Sequence, residues 1–253
     1  MTVHNPFDGG AEAQRYAAGR PYFHPAVLER LRPLLNGHTL GADVACGTGL
    51  SSLALAELVN EVRAFDSSEA MLTQAPAHTR IAFAQAPAES LPLPDHCLDV
   101  LTVSQAFHWF DRAAFLPEVQ RTLKSEGVLF LYDCYFLGEM PQQPDFGGFA
   151  EAYFGRYPTP PRHREPFGSS EAAQAGFGFE ENHFLLDLPF SLPGLVAYLL
   201  THSNTLAATA RGEPEAEIRA WLTEQLSHFF VSPGAERAVR FRAWYAALRP
   251  LPV

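Results

Sequence analysis

From Leu40 onward the hydrophobic period of the chain switches repeatedly between two values. Residues 40–45, 61–65, 80–84, 98–104 and 128–132 are short runs rich in apolar and β-branched side chains, the length of buried strands. The run LDVLTVS, residues 98–104, is nearly unbroken and predicts the most enclosed of them. Between these runs, over 50–59, 68–75 and 113–123, apolar positions recur every three to four residues and predict helices. Ser67 or Ser68 opens the second helix, and the turn Ser125-Glu126-Gly127 closes the third. Strands that alternate with helices predict a doubly wound α/β fold, a mostly parallel sheet with helices on both faces.

The flanks read differently. Arg20-Pro21 interrupts any early helix, and Phe7, Tyr16, Tyr22 and Phe23 share no single helical face, so an irregular N-terminal arm is expected. Pro25 opens a helix with Val27, Leu28, Leu31 and Leu34 or Leu35 at core spacing, and Asn36-Gly37 stops it. After Tyr135, Pro141, Pro144, Pro158, Pro160, Pro161 and Pro166 predict an irregular lid with one short helix near 149–157. Helices over 170–175, 192–206 and 215–229 and strands over 183–190 and 238–248 complete the chain. The reading is a single domain: arm and helix over 1–36, core over 37–135, lid over 136–180, and sheet completion with lid helices over 181–253.

Composition narrows the partners. The 253 residues carry 28 acidic against 18 basic side chains, a formal net charge of -10, which disfavours nucleic acid and anionic membranes. Arg162 and Arg164 are the closest thing to a basic cluster, and a loop is their simplest home. Cys46, Cys97 and Cys134 have no metal-ligand or redox spacing, so reduced thiols and no metal are expected. MTVHNPFDGG lacks the basic-then-apolar pattern of a secretory signal, and no apolar run is long enough to span a membrane. The expectation is a cytoplasmic protein, monomer or homodimer, acting on a small molecule.

Ligands of a doubly wound sheet gather past the carboxyl ends of its strands. There the sequence holds DVACGTGLSS, residues 43–52, a strand, a glycine turn and a helix start. A bare backbone at Gly47 and Gly49 admits a ligand to the helix N-terminus. No Gly-Lys-Ser/Thr follows, so this is not a P-loop, and Ser52 stands where the dinucleotide pattern needs its third glycine. Asp66 ends the second strand, where a carboxylate can accept both ribose hydroxyls, or can serve as a helix cap. Together the turn and the acid point to a nucleoside.

DVACGTGLSS, FDSSEAML, APAESLPLPDHCLDVLTVSQAFHWFD and EVQRTLKSEGVLFL, in that order, resemble the motifs of class I S-adenosylmethionine-dependent methyltransferases. The resemblance is strong over residues 7–135. It is closest to the small-molecule branch with the ubiquinone/menaquinone C-methyltransferases and the trans-aconitate methyltransferases; QAFHWFD and YAAGRPYFHP favour the latter. It implies a Rossmann-like methyltransferase fold with a seven-stranded sheet, an N-terminal arm and a helical lid inserted after strand 5.

Site residues follow from the same resemblance. Asp43 lies near the methionyl amine, and Ala45, Gly47 and Gly49 form the turn under methionine and ribose. Asp66 holds the ribose hydroxyls, Ser67 and Met71 lie beside adenine, and Ala88 and Glu89 lie at its edge. Ser104 and Gln105 lie at the amino-acid end. Pro87 stands where the family often has the acid that takes the adenine amino group, which leaves a backbone carbonyl, Glu89 or packing for that task.

Methyl transfer from a sulfonium needs alignment and exclusion of water more than acid–base chemistry. The implied reaction is transfer to oxygen, a carboxylate or hydroxyl, with carbon or nitrogen as alternatives. If the acceptor must lose a proton, His108, Tyr16 and Tyr135 are the candidate bases, with His202 behind them. Arg20 on the arm suits the methionyl carboxylate or an anionic acceptor. An NAD-dependent oxidoreductase and a non-catalytic S-adenosylmethionine-binding protein are the competing readings.

Overall fold

The structure is a computed structural model that describes residues 10–160 and 166–252. Phe7, Pro161, Arg162 and Arg164 lie outside the described residues. In chain order the elements are α1 (Gly10–Gly19), α2 (His24–Leu28), β1 (Leu40–Val44), α3 (Leu50–Leu55), β2 (Glu61–Asp66), α4 (Glu69–Leu72), β3 (Ile81–Gln85), β4 (Leu98–Ser104), α5 (Arg112–Thr122), β5 (Leu123–Glu139), α6 (Phe146–Arg156), α7 (Ser169–Gln174), β6 (Phe177–Phe190), α8 (Leu192–Leu199), α9 (Ser203–Ala210), α10 (Glu215–Leu226) and β7 (Arg237–Pro250).

The strands form one sheet of order β3-β2-β1-β4-β5-β7-β6. β1 pairs in parallel with β2 and β4, β2 with β3, and β4 with β5. β7 enters antiparallel between β5 and β6. The chain order therefore reverses at β1 and β4, and their carboxyl ends open onto one crevice, where such sheets bind ligands.

Period-two alternation along β5 divides the core. Val128, Phe130, Tyr132 and Cys134 join the cluster that holds Leu28 and Leu31 behind α2, Phe146 and Tyr153 of α6, and Leu195 and Leu199 of α8. Leu129 and Leu131 face the other cluster, with Phe115 and Val119 of α5 and Ala172 beside Phe177. The sheet is thus a partition with the lid on one side and α5 and α7 on the other.

Several elements depart from the sequence expectation, among them β6, which starts at Phe177 rather than at 183. The arm is helical: α1 docks so closely that a Cβ on Gly19 would stand 2.6 Å from the Ala197 carbonyl oxygen, and the helix ends there. The helix expected over 192–206 is two, because His202 is extended at φ -70° and ψ 144°. β5 runs to Glu139, well past Tyr132, because β7 supplies a second partner as far as that residue. Among the described residues no helix is long and apolar enough to cross a membrane.

Candidate functional site

A cavity of about 280 Å³ opens at the carboxyl ends of β1, β2 and β4. Its floor is the glycine turn, where Ala45 (φ 56°) and Gly47 (φ +55°) are both left-handed. A Cβ on Gly47 would lie 3.0 Å from the Met71 methyl, so any side chain there would fill the cradle. Gly49 is left-handed for a different reason: its Cβ position lies 2.9 Å from the Phe83 ring, and it does not line the cavity.

Asp66 closes one side. It is 9% exposed, its Oδ2 accepts the Gly47 N–H at 2.7 Å and its Oδ1 accepts the Ser68 N–H at 2.8 Å. Ser68, not Asp66, caps α4, its hydroxyl accepting the Met71 N–H at 3.3 Å. The carboxylate lines the cavity beside the glycine turn. Ser67, Met71, Ala86, Pro87 and Ala88 continue this wall, and Glu89 joins it while its Oε1 accepts the Asp111 N–H at 3.0 Å.

Asp43 lies beneath the floor rather than in the cavity. It is fully buried and accepts hydroxyl hydrogens from Ser51 and Ser52 at 2.6 Å each and from Thr102 at 2.9 Å. Burial pushes its carboxyl up to about 6, against the pull of those three hydroxyls. It ties β1 to the first turn of α3 and to β4, and so fixes the glycine turn between them.

The opposite end is built by the arm. Tyr16, Arg20, Phe23 and His24 line it, facing Ser104 and Gln105 from β4. Arg20 donates to Gln105 Oε1 at 3.4 Å and to the Thr201 carbonyl at 3.3 Å, and its carbon Cζ lies 4.6 Å over the Tyr16 ring. Among the described residues Arg20 makes no salt bridge, and its Nε is buried without a hydrogen bond. Gln105 is left-handed at φ 56°, and its Nε2 donates to Asp133 Oδ1 at 3.1 Å and to the Cys134 carbonyl at 3.2 Å. Trp109, half exposed at 49%, and Phe110 form the rim.

Of the sequence-derived residues, the structure gathers Tyr16, Arg20, Ala45, Gly47, Asp66, Ser67, Met71, Ala88, Glu89, Ser104 and Gln105 around one cavity. It does not bring His108 or Tyr135 there. Both line a second groove of about 330 Å³ with Asp133, His183 and Trp244. Tyr135 sits inside a long strand, in phase with Leu131 and Asp133, and so points to the α5 side of the sheet. His108 occupies the short turn Phe107–Trp109, and there Trp109, not His108, reaches the cavity. His202 is enclosed by Phe136, Tyr153 and Tyr198, with its Nδ1 3.0 Å from the Tyr153 hydroxyl, and does not line the cavity.

The histidine of the cavity is His24, which the sequence reading passed over. Buried at 7% exposure, it stacks on Phe23 at 4.3 Å, and its Nδ1 lies 3.0 Å from the Tyr132 hydroxyl and 3.5 Å from the Ser104 hydroxyl. Burial, with the charge of Arg20 adding to it, pulls the imidazole down to about 3, so it is neutral near pH 7. A histidine ahead of Pro25, two places from Tyr22 in an aromatic arm, was the only signal in the sequence.

Residues 42–131 match the family described as a methyltransferase domain. An uncharacterized methyltransferase of Mycobacterium tuberculosis is 35% identical over 124 residues, 48% of this chain and 50% of that protein. An uncharacterized methyltransferase of Bacillus subtilis is 32% identical over 176 residues, 65% of this chain and 66% of that protein. The chain spans about half the length of the first curated relatives it matches. A solved structure from Anaeromyxobacter dehalogenans, described as a candidate type II methyltransferase, superposes with a TM-score of 0.72 at 26% identity, over 90% of this chain and 97% of that one. Residues 42–131 resemble a methyltransferase domain, and the sheet around them has the Rossmann-like fold of that solved methyltransferase structure.

Proposed function

We propose that the chain transfers a methyl group from S-adenosylmethionine to an oxygen atom of a small molecule, leaving S-adenosylhomocysteine. The observation that carries the reading is the two-ended cavity: a bare glycine floor and a buried acid at one end, cationic and neutral donors at the other. The fit of the cofactor rests on that floor. Gly47 leaves a cradle that a Cβ would fill, and the Asp66 carboxylate lines the cavity beside it at the end of β2. When bound, S-adenosylmethionine supplies a methyl on a sulfonium: the carbon–sulfur bond breaks with its pair staying on sulfur as an acceptor lone pair forms the new bond.

The protein's own residues align and enclose. Asp66 accepts the ribose hydroxyls, Ser67, Met71, Ala88 and Glu89 border adenine, and Ala45 and Gly47 lie under the methionine portion. Asp43 keeps the floor in register through Ser51, Ser52 and Thr102. Arg20, Ser104 and Gln105 meet the amino-acid end and the acceptor, and the arm with Trp109 screens them from water. Tyr16 is the one residue of the three candidate bases that lines this cavity, where its ring supports Arg20. An oxygen acceptor fits a wall of donors better than an amine, which needs a site to receive its proton. Within this reading the trans-aconitate-like branch is the favoured subgroup, and the protein works in the cytoplasm on a small soluble acceptor as monomer or homodimer.

Tryptophan fluorescence titration with S-adenosylhomocysteine against NADH tests the cofactor, and transfer of labelled methyl to a panel of small acids and phenols tests turnover. Saturation by S-adenosylhomocysteine and labelled ester or ether are expected. Preferential saturation by NADH would overturn the reading.

A further inference from the structure

The acceptor end of the cavity contains a neutral imidazole with one nitrogen already engaged. His24 Nδ1 faces the Tyr132 hydroxyl at 3.0 Å, and Nε2 makes no hydrogen bond to any described residue although the side chain lines the cavity. Tyr132 is 2% exposed on β5, and its hydroxyl meets His24 Nδ1 and the Ser104 hydroxyl. The ring is held on its other faces as well: it stacks on Phe23 at 4.3 Å, and the Tyr132 ring stands edge-on at 5.9 Å. A side chain so confined has no rotamer freedom left to lose on binding.

We infer that His24, fixed by Tyr132, is an acceptor-binding residue: Tyr132 donates to Nδ1, the proton stays on Nε2, and that N–H meets an ionised oxygen of the acceptor beside the charge of Arg20. The inference rests on the methyltransferase reading above and adds to it the charge state of the acceptor. The carboxylates that line the cavity lie at the other end: Asp66 is tied to the Gly47 and Ser68 amides and Glu89 to the Asp111 amide. The polar groups that act on His24 are the Tyr132 and Ser104 hydroxyls and the Arg20 charge, and Gln105 lines the same cavity; none of them is an acid. An acceptor here brings its own negative charge, as a carboxylate or an acidic phenol or enol does. Its oxygen lone pair forms the new carbon–oxygen bond, the carbon–sulfur pair stays on sulfur, and no proton has to move. His24 therefore acts as a donor that aims the oxygen, not as a base.

Calorimetry on the full chain loaded with S-adenosylhomocysteine, with benzoate and phenol as probes near neutral pH, tests this. Benzoate binds saturably to the wild type and phenol at least about tenfold more weakly, the scale of a hydrogen bond to a charged group. His24→Ala weakens benzoate at least about tenfold, and His24→Gln, which returns an N–H near the Nε2 position, recovers most of the loss. Binding of S-adenosylhomocysteine changes less than about twofold in both variants, which also shows that they fold. Histidine-selective nitrogen-15 spectra place the His24 proton on Nε2. Equal benzoate affinity in wild type and His24→Ala, phenol binding as tightly as benzoate, no benzoate binding at all, or the proton on Nδ1 would each overturn the inference while leaving the cofactor reading intact. Failure to bind S-adenosylhomocysteine overturns both.

Discussion

The carboxylate of Asp66, at the end of β2, accepts the backbone N–H of Gly47 at 2.7 Å and so joins the two strands that make the cofactor floor. A ligand on that floor touches a residue and its support at once. Asp66→Ala is expected to weaken S-adenosylhomocysteine by about 1.5–3 kcal/mol, as for a hydrogen bond to a charged group. It also leaves the Gly47 and Ser68 amides without their buried acceptor, so chemical denaturation is expected to show a stability loss of about 1–3 kcal/mol. An unchanged dissociation constant would remove Asp66 from the site.

The two glycines of the turn separate binding from folding. Gly49→Ala puts a Cβ 2.9 Å from the Phe83 ring at φ +83° and is expected to cost stability, about 1–2 kcal/mol from the left-handed backbone alone. Gly47→Ala is strained in the same way, but its methyl also enters the cavity beside Met71. Thermal melts with and without S-adenosylhomocysteine check the contrast: ligand stabilisation survives in Gly49→Ala and is largely lost in Gly47→Ala.

Asp43 sets a pH dependence of stability. Its folded carboxyl titrates near 6 against about 3.8 in the unfolded chain, so the folded state binds the proton more tightly. Its contribution to stability is greatest below the unfolded value, falls as pH rises through the interval to about 6, and is level above it. The loss is about 3 kcal/mol for roughly two pH units. Asp43→Asn is expected to flatten this interval, which urea unfolding at a series of pH values measures. A wild type whose stability rises from pH 4 to 6 as steeply as that of the variant would contradict the assignment.

Trp109 is the one tryptophan of three that lines the cavity; Trp221 packs against the lid core and Trp244 lies in the second groove. Most of the fluorescence change on adding S-adenosylhomocysteine is therefore expected to vanish in Trp109→Phe, with affinity within about threefold of wild type because the rim is half exposed. A signal kept in full by the variant would place the ligand elsewhere.

Much of the site was legible because its residues are tied to local backbone geometry. Gly47, Asp66 and Ser104 sit at strand ends that hydrophobic periodicity marks, and a strand end in a doubly wound sheet is a ligand edge wherever the strand lies in the order. LDVLTVS, residues 98–104, is observed as β4 over Leu98–Ser104. The glycine turn announced itself because only a bare or left-handed backbone makes that bend.

What the sequence could not decide was which face a side chain takes and which distant segment it meets. Tyr135 looked to lie just past a strand ending at Tyr132, but β7 pairing carries β5 on to Glu139 and Tyr135 lines the second groove instead. His108 and Trp109 are neighbours, yet one short turn sends them to different pockets. His24, just ahead of the helix that Pro25 opens, became the histidine of the cavity only when the arm docked against β5, 108 residues away in the chain. The local pattern by itself determined the strands, the turn and the nucleoside edge, because period and backbone conformation are short-range properties. The identity of the acceptor wall was decided by tertiary packing alone, because burial, facing and long-range hydrogen bonds exist only once the sheet and the arm have closed on each other.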